Sequence, residues 1–195
     1  MSIHSNKQVH EEEHALIERA KTEPEAFGML YESYLDRIYR YVYYRVGNTQ
    51  DAEDITARVF FKALTHLGSY RHQGLPFSAW LYRIAHNQVA NFHRDNSRYQ
   101  ETSLESLTLP GEASRQPLPE NESADQQELA YLLSLVRDLP AYQRELLILK
   151  AVDNLSNQEI AVIMRRSESA IKSLYHRVLR SLRARMEAQH GQRNL

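Results

Sequence analysis

Cysteine is absent from the 195 residues. That excludes disulfides, thiolate metal sites and cysteine nucleophiles, and it suits a reducing compartment. Glycine is scarce, with six residues, none in a GxxxxGK[ST] or GxGxxG array. A loop that cradles phosphate with backbone amides is therefore not expected. No apolar run approaches the roughly 18 residues a membrane span needs. The first 13 residues are polar and acidic rather than signal-like. The expectation is a cytoplasmic chain without membrane insertion, folded as one domain or two small ones.

Net charge is only −1, but it is unevenly placed. Residues 1–98 balance 12 basic against 12 acidic side chains. Residues 99–128 carry seven acids and only Arg115. Residues 129–195 carry 11 bases against six acids. The basic C-terminal part is the one suited to nucleic acid.

Helical periodicity dominates. Thr22, Pro24 and Glu25 predict a helix start with Thr22 as cap and Glu25 reaching back to it. That helix runs to Val46, where Gly47 stops it. A further helix spans about Thr49–Leu67, with Ala52, Ile55, Val59, Phe60, Ala63, Leu64 and Leu67 as its apolar face. Residues 68–75 read as loop. Pro76 opens a helix to about Arg98, with Phe77, Trp80, Leu81, Ile84, Ala85 and Val89 inward. Residues 99–123 hold three of the six prolines and few aromatics, which reads as a flexible linker. Helices resume near Ala124 and break at Leu139-Pro140. Ser156 and Glu159 form a capping box for a short helix to Met164. Ser167 caps the last helix, which runs to about Met186. The predicted fold class is all-α: two small helical domains on a flexible linker, the C-terminal one a helix-turn-helix. The boundaries are 1–98, 99–127 and 128–195.

Three motifs carry chemical meaning. His10 to His14 fits the H-E-x-x-H zinc pattern, but it sits on a polar terminus with no third ligand in view. It reads as a solvated helix start, with no metal. Residues 156–186 form a helix-turn-helix. Ile160, Ile163, Ile171, Leu174 and Val178 face inward, Arg166 makes the turn with Arg165, and Lys172, Ser173, His176, Arg177 and Arg180 face outward. A basic helix of this kind takes phosphates with Lys and Arg and reads base edges with one or two side chains. The helix after Pro76 sets Arg83, His86, Asn87, Arg94 and Arg98 opposite its apolar stripe. Aromatics beside such a surface can stack on unpaired bases. No nucleophile–base pair stands in a recognisable context, so an enzyme is not expected, nor a cofactor or small-molecule substrate.

Taken in this order, the pieces resemble a bacterial RNA polymerase sigma factor of the sigma-70 family, extracytoplasmic-function group. Asp51-Ala52-Glu53-Asp54-Ile55 with Phe60-Phe61-Lys62-Ala63-Leu64 is similar to the family's polymerase-docking helix. Trp80 to Asn87 resembles its promoter-melting helix. Leu139-Pro140, Arg144, Glu159-Ile160-Ala161 and Ile171-Lys172-Ser173 resemble its C-terminal DNA-binding domain. The resemblance implies a chain that binds core RNA polymerase, reads promoter DNA and answers to an anti-sigma factor. It implies −35 contacts from Arg166, Lys172, Ser173, His176, Arg177 and Arg180. It implies −10 contacts from Tyr70, Arg71, Arg83, His86, Asn87 and Arg94, with Tyr70 stacking on a flipped base. It implies polymerase docking through Asp51, Glu53, Asp54, Ala57 and Arg58. Family promoter elements lie roughly 17 base pairs apart, or about 58 Å at ~3.4 Å per pair.

Four departures from the family pattern stand out. Ala57-Arg58 stands where Gln-Glu is frequent, and Asn91 where Asp is. Arg165 stands at a turn where Gly is usual, and a left-handed non-glycine residue costs roughly 1–2 kcal/mol. Leu174 replaces a frequent Arg. An ordinary helix-turn-helix regulator, or an adaptor that binds only protein, would explain the C-terminal half but not the helices around Asp51 and Trp80.

Overall fold

The computed structural model describes residues 2–72, 74–102, 124–151 and 154–193. Every regular element among them is helical. The N-terminal unit contains α1 (Ser2–Ala20), α2 (Pro24–Val46), α3 (Thr49–Leu67) and α4 (Phe77–Thr102). The C-terminal unit contains α5 (Ala124–Arg137), α6 (Ala141–Ala151), α7 (Asn157–Met164) and α8 (Glu168–Arg193). Helices enter the expected linker from both ends, and its residues 103–123 lie outside the described ones.

Helix boundaries follow local chemistry. Gly47 takes the left-handed conformation at φ 84° and returns its amide to the Tyr43 carbonyl, ending α2. The Asn48 side chain accepts from the Asp51 amide at 2.8 Å and starts α3. The expected cap at Thr22 does not form. Glu23 is the N-cap of α2 without a side-chain cap bond, its carboxylate accepting instead from Arg19 at 2.8 Å, and the Thr22 hydroxyl donates back to the Arg19 carbonyl at 3.3 Å. The end of α1 has taken that hydroxyl for its own carbonyl.

The capping box of α7 is complete. The Ser156 amide donates to Glu159 Oε2 at 2.7 Å, and the Glu159 amide donates to Ser156 Oγ at 3.2 Å. Ser156→Ala should cost about 1 kcal/mol, read as a lower midpoint in urea unfolding. A midpoint within error of wild type would contradict a stabilising role for the box. Arg165 then turns the chain at φ 52°, and the Arg166 amide donates to the Ala161 carbonyl at 2.9 Å. Arginine thus occupies the left-handed turn, and the helices on either side of it hold it there. Ser167 Oγ accepts from the Ala170 amide at 3.2 Å and opens α8.

The apolar stripes of both units meet in one buried cluster. Leu30, Ile38, Val42, Val59, Leu67, Leu81, Ala85 and Val89 enter it from the N-terminal unit. Leu146, Leu149, Ile160, Ile163, Ile171 and Val178 enter it from the C-terminal unit. The polar first segment is not wholly solvated, since Ile17 and Ala20 are buried and α1 packs on α2. The two units also touch each other. Helix α7 packs on α4, and α6 on α2.

Candidate nucleic-acid interface

Helix α8 offers the clearest surface. Ile171, Leu174 and Val178 point into the core, while Lys172, Ser173, His176, Arg177 and Arg180 stand exposed. The spacing of these groups follows the 3.6-residue period, so one helix serves both faces. Leu174 is 7% exposed, so the position that departs from the family pattern is a packing residue here. Lys172 Nζ lies 2.9 Å from Glu168 Oε1, an exposed pair one turn apart. Exposed pairs are worth little, so exchanging Glu168 for a phosphate is cheap. Arg166, at the turn, sits over the Tyr142 ring at 5.7 Å.

The expected −10 residues fall on different sides of α4. Arg83 and Arg94 are exposed, and Asn87 is half-buried. Arg94 pairs with its neighbour Asp95 at 3.3 Å. The side chain of Arg98 lies outside the described residues. Arg71 Nη1 is tied to its own loop, donating to the Gly68 and Tyr70 carbonyls at 3.2 and 3.0 Å.

Tyr70 is placed differently from the expectation. It is buried at 7% exposure, with ring centroids 5.4 Å from Phe77 and 5.0 Å from Trp80. Its faces are used by the core, which leaves none free to stack on a flipped base in this conformation. Burial is also the first cause holding its hydroxyl pKa above the usual tyrosine value.

On α3, Glu53, Asp54, Ala57 and Arg58 are exposed as expected of docking residues, whereas Asp51 serves the cap of its own helix. Leu64 was expected inside and is 50% exposed, and its neighbour Phe61 is 71% exposed. Ala57, Phe61 and Leu64 recur at i, i+4 and i+7, so they line one solvent face. Two large apolar groups are thus left in water beside Arg58 and Lys62. The double aromatic Phe60-Phe61 held the signal, since a helix cannot bury two adjacent rings on one stripe.

The side chain of His10, the first ligand of the H-E-x-x-H pattern, lies outside the described residues. Glu13 accepts the Tyr34 hydroxyl, and the His14 ring lies edge-on to His72 at 5.8 Å. Among the described residues no group of three or more His, Asp or Glu is placed to hold a metal.

One cluster was not anticipated. Glu145 of α6 is buried, at 3% exposure, in a mostly apolar run. Its Oε1 accepts from the Tyr41 hydroxyl at 2.6 Å and meets Arg45 Nη1 at 2.5 Å and His86 Nδ1 at 2.6 Å. Arg45 also donates to the Tyr41 hydroxyl at 2.9 Å. Burial by itself would raise the Glu145 pKa. The His86 hydrogen bond and the Arg45 charge outweigh it and hold the carboxyl below the usual range. The α2 pair at i, i+4 and a lone acid just before the apolar run Leu146–Leu149 were the available signals. Joining them required knowing that α2 and α6 meet.

An open apolar groove of about 1040 Å³ lies mainly on the C-terminal unit. Leu133, Val136, Leu147 and Leu179 line it, Tyr44 of α2 borders it, and His176 and Arg180 also reach it.

The helix order belongs to a known class of transcription proteins. The sigma-70 region 2 family matches residues 30–99, and sigma-70 region 4 matches residues 129–182. The ECF RNA polymerase sigma factor BldN of Streptomyces coelicolor is 41% identical over 169 residues, covering 86% of this chain and 63% of that protein. The chain thus spans under two thirds of that relative's length. The ECF RNA polymerase sigma factor SigD of Mycobacterium tuberculosis is 35% identical over 150 residues, covering 75% and 70%. The sigma factor RpoE of Bartonella quintana, solved with the anti-sigma factor NepR, superposes with a TM-score of 0.61 at 23% identity, covering 81% and 94%. That last likeness speaks for the fold. The chain belongs to the extracytoplasmic-function sigma factors of the sigma-70 family.

Proposed function

We propose that this chain binds core RNA polymerase in the cytoplasm and directs it to promoters, without catalysis of its own. The C-terminal helix-turn-helix reads the −35 element through Lys172, Ser173, His176, Arg177 and Arg180, with Arg166 at the turn. The N-terminal unit holds the −10 element through Arg83, Asn87 and Arg94, with His86 and Arg71 joining once freed from their present contacts. One observation carries the reading: a single chain bears both sigma regions and an α8 whose solvent face is basic while its opposite face is core. RpoE of Bartonella quintana pairs with an anti-sigma factor, and we propose a partner of that class here.

Docking on polymerase falls to α3. Glu53, Asp54 and Arg58 supply charge around an apolar centre of Ala57, Phe61 and Leu64. Burying a Phe side chain is worth about 1.5–3 kcal/mol. Phe61→Ala should therefore weaken core-polymerase affinity by roughly tenfold or more, measured by fluorescence titration. Thermal stability should stay within about 0.5 kcal/mol, because the ring is in water in the free chain. Unchanged affinity would remove Phe61 from the docking surface.

Run-off transcription tests the whole reading. The protein is combined with core polymerase from the same source and a fragment library of that genome. Discrete starts that depend on the protein support it, and their alignment gives both elements. No starts, together with failure to co-elute with core polymerase, would make an ordinary helix-turn-helix regulator the better account.

A further inference from the structure

The carboxylate of Glu145 belongs to the C-terminal unit, and its three donors, Tyr41, Arg45 and His86, all belong to the N-terminal unit. Side-chain exposure is 4% for Glu145 and 9% for Arg45, so the charges meet out of water. We propose that this cluster is a latch, which holds the free chain closed in an arrangement that cannot span a promoter. The consequence for promoters rests on the sigma-factor reading above, whereas the latch itself is a property of the isolated chain.

Geometry supports the incompatibility. Helix α7 lies on α4, and α8 follows α7 after one turn. Packed helices sit about 8–10 Å apart. The −10 and −35 elements implied by the family are about 58 Å apart at ~3.4 Å per base pair. The two surfaces cannot reach both elements while the units touch. His86, a −10 candidate, is spent on Glu145. Two −35 candidates, His176 and Arg180, share a groove with Tyr44 of the other unit.

Charge makes such a contact switchable. When the units part, Glu145 and Arg45 both return to water and regain hydration, so opening the pair as a whole is cheap. Removing one partner is different. The other charge is then buried without compensation in the closed state and fully solvated in the open one. Single substitutions should therefore favour opening.

The absence of cysteine makes the test direct, because introduced cysteines are unique labelling sites. Spin labels go at Glu32→Cys and Ala184→Cys, both exposed, one in each unit. Distances are read by pulsed dipolar spectroscopy on the full chain without polymerase. Wild type should give one short, narrow distribution. Glu145→Gln should raise the long-distance population at least about tenfold, with helicity unchanged. Arg45→Gln should do the same from the other unit, and the double variant should add little, as coupled partners do. Should one variant lose helicity, the other decides. A wild type already broad and long, or two folded variants with the wild-type distribution, would overturn the latch. Failure of run-off transcription would overturn the promoter reading and leave this result standing.

Discussion

Replacing Lys172 or Arg177 by alanine should lower the affinity of the polymerase-bound protein for its promoter by roughly tenfold or more, and leave its affinity for core polymerase unchanged. A phosphate or base contact from such a side chain is worth about 1–3 kcal/mol. Both residues are exposed on α8 and neither supports the core, so the folded state has nothing to lose. Lys172 gives up only its exposed pair with Glu168, which is worth little. The two substitutions should also differ in kind. A phosphate contact weakens all sequences alike and flattens the salt dependence, whereas a base contact relaxes one promoter position. Gel-shift titrations at two salt concentrations, on a consensus and a scrambled −35 element, separate them. Equal loss of promoter and polymerase binding would show that α8 serves both partners and would sink the division of labour between the units.

Helix-level features were legible because their causes are local. Gly47 and the Ser156–Glu159 box are short-range patterns, and the structure forms both. Thr22 failed as a cap for an equally local reason, since α1 ends just before it and takes its hydroxyl. The inward face of α8 was readable because apolar spacing alone decides it. Leu64 shows where spacing stops being enough: it sits at the edge of a stripe, and only the packing of α3 against α2 and α4 decides which edge is covered. Tyr70 was misplaced because a loop tyrosine beside basic residues looks available, while the ring it meets, Trp80, is ten residues away. The Glu145 cluster joins residues 104 apart in the chain, and no periodicity reports such a meeting. Treating 99–127 as a spacer between independent bodies hid it further, because that reading gave no reason for the units to touch.

Trp80→Ala should destabilise the N-terminal unit by about 3 kcal/mol, and Trp80→Phe should recover much of that. The indole is partly buried against the core. Its centroid lies 5.0 Å from Tyr70 and 5.3 Å from Phe77, and Phe77 in turn meets Tyr34 at 5.6 Å. Truncating a Trp or Phe in a core costs about 3–5 kcal/mol, and partial exposure puts this site at the lower end. Removing the central ring also frees Tyr70, so the loop over residues 68–72 should lose order with it. Hydrogen exchange on that loop, alongside a thermal melt of the whole chain, checks both statements. The competing role for Trp80 is contact with melted promoter strands. A variant that melts like wild type yet fails to open a promoter would place the indole on DNA and return Tyr70 and Phe77 to a core that never needed it.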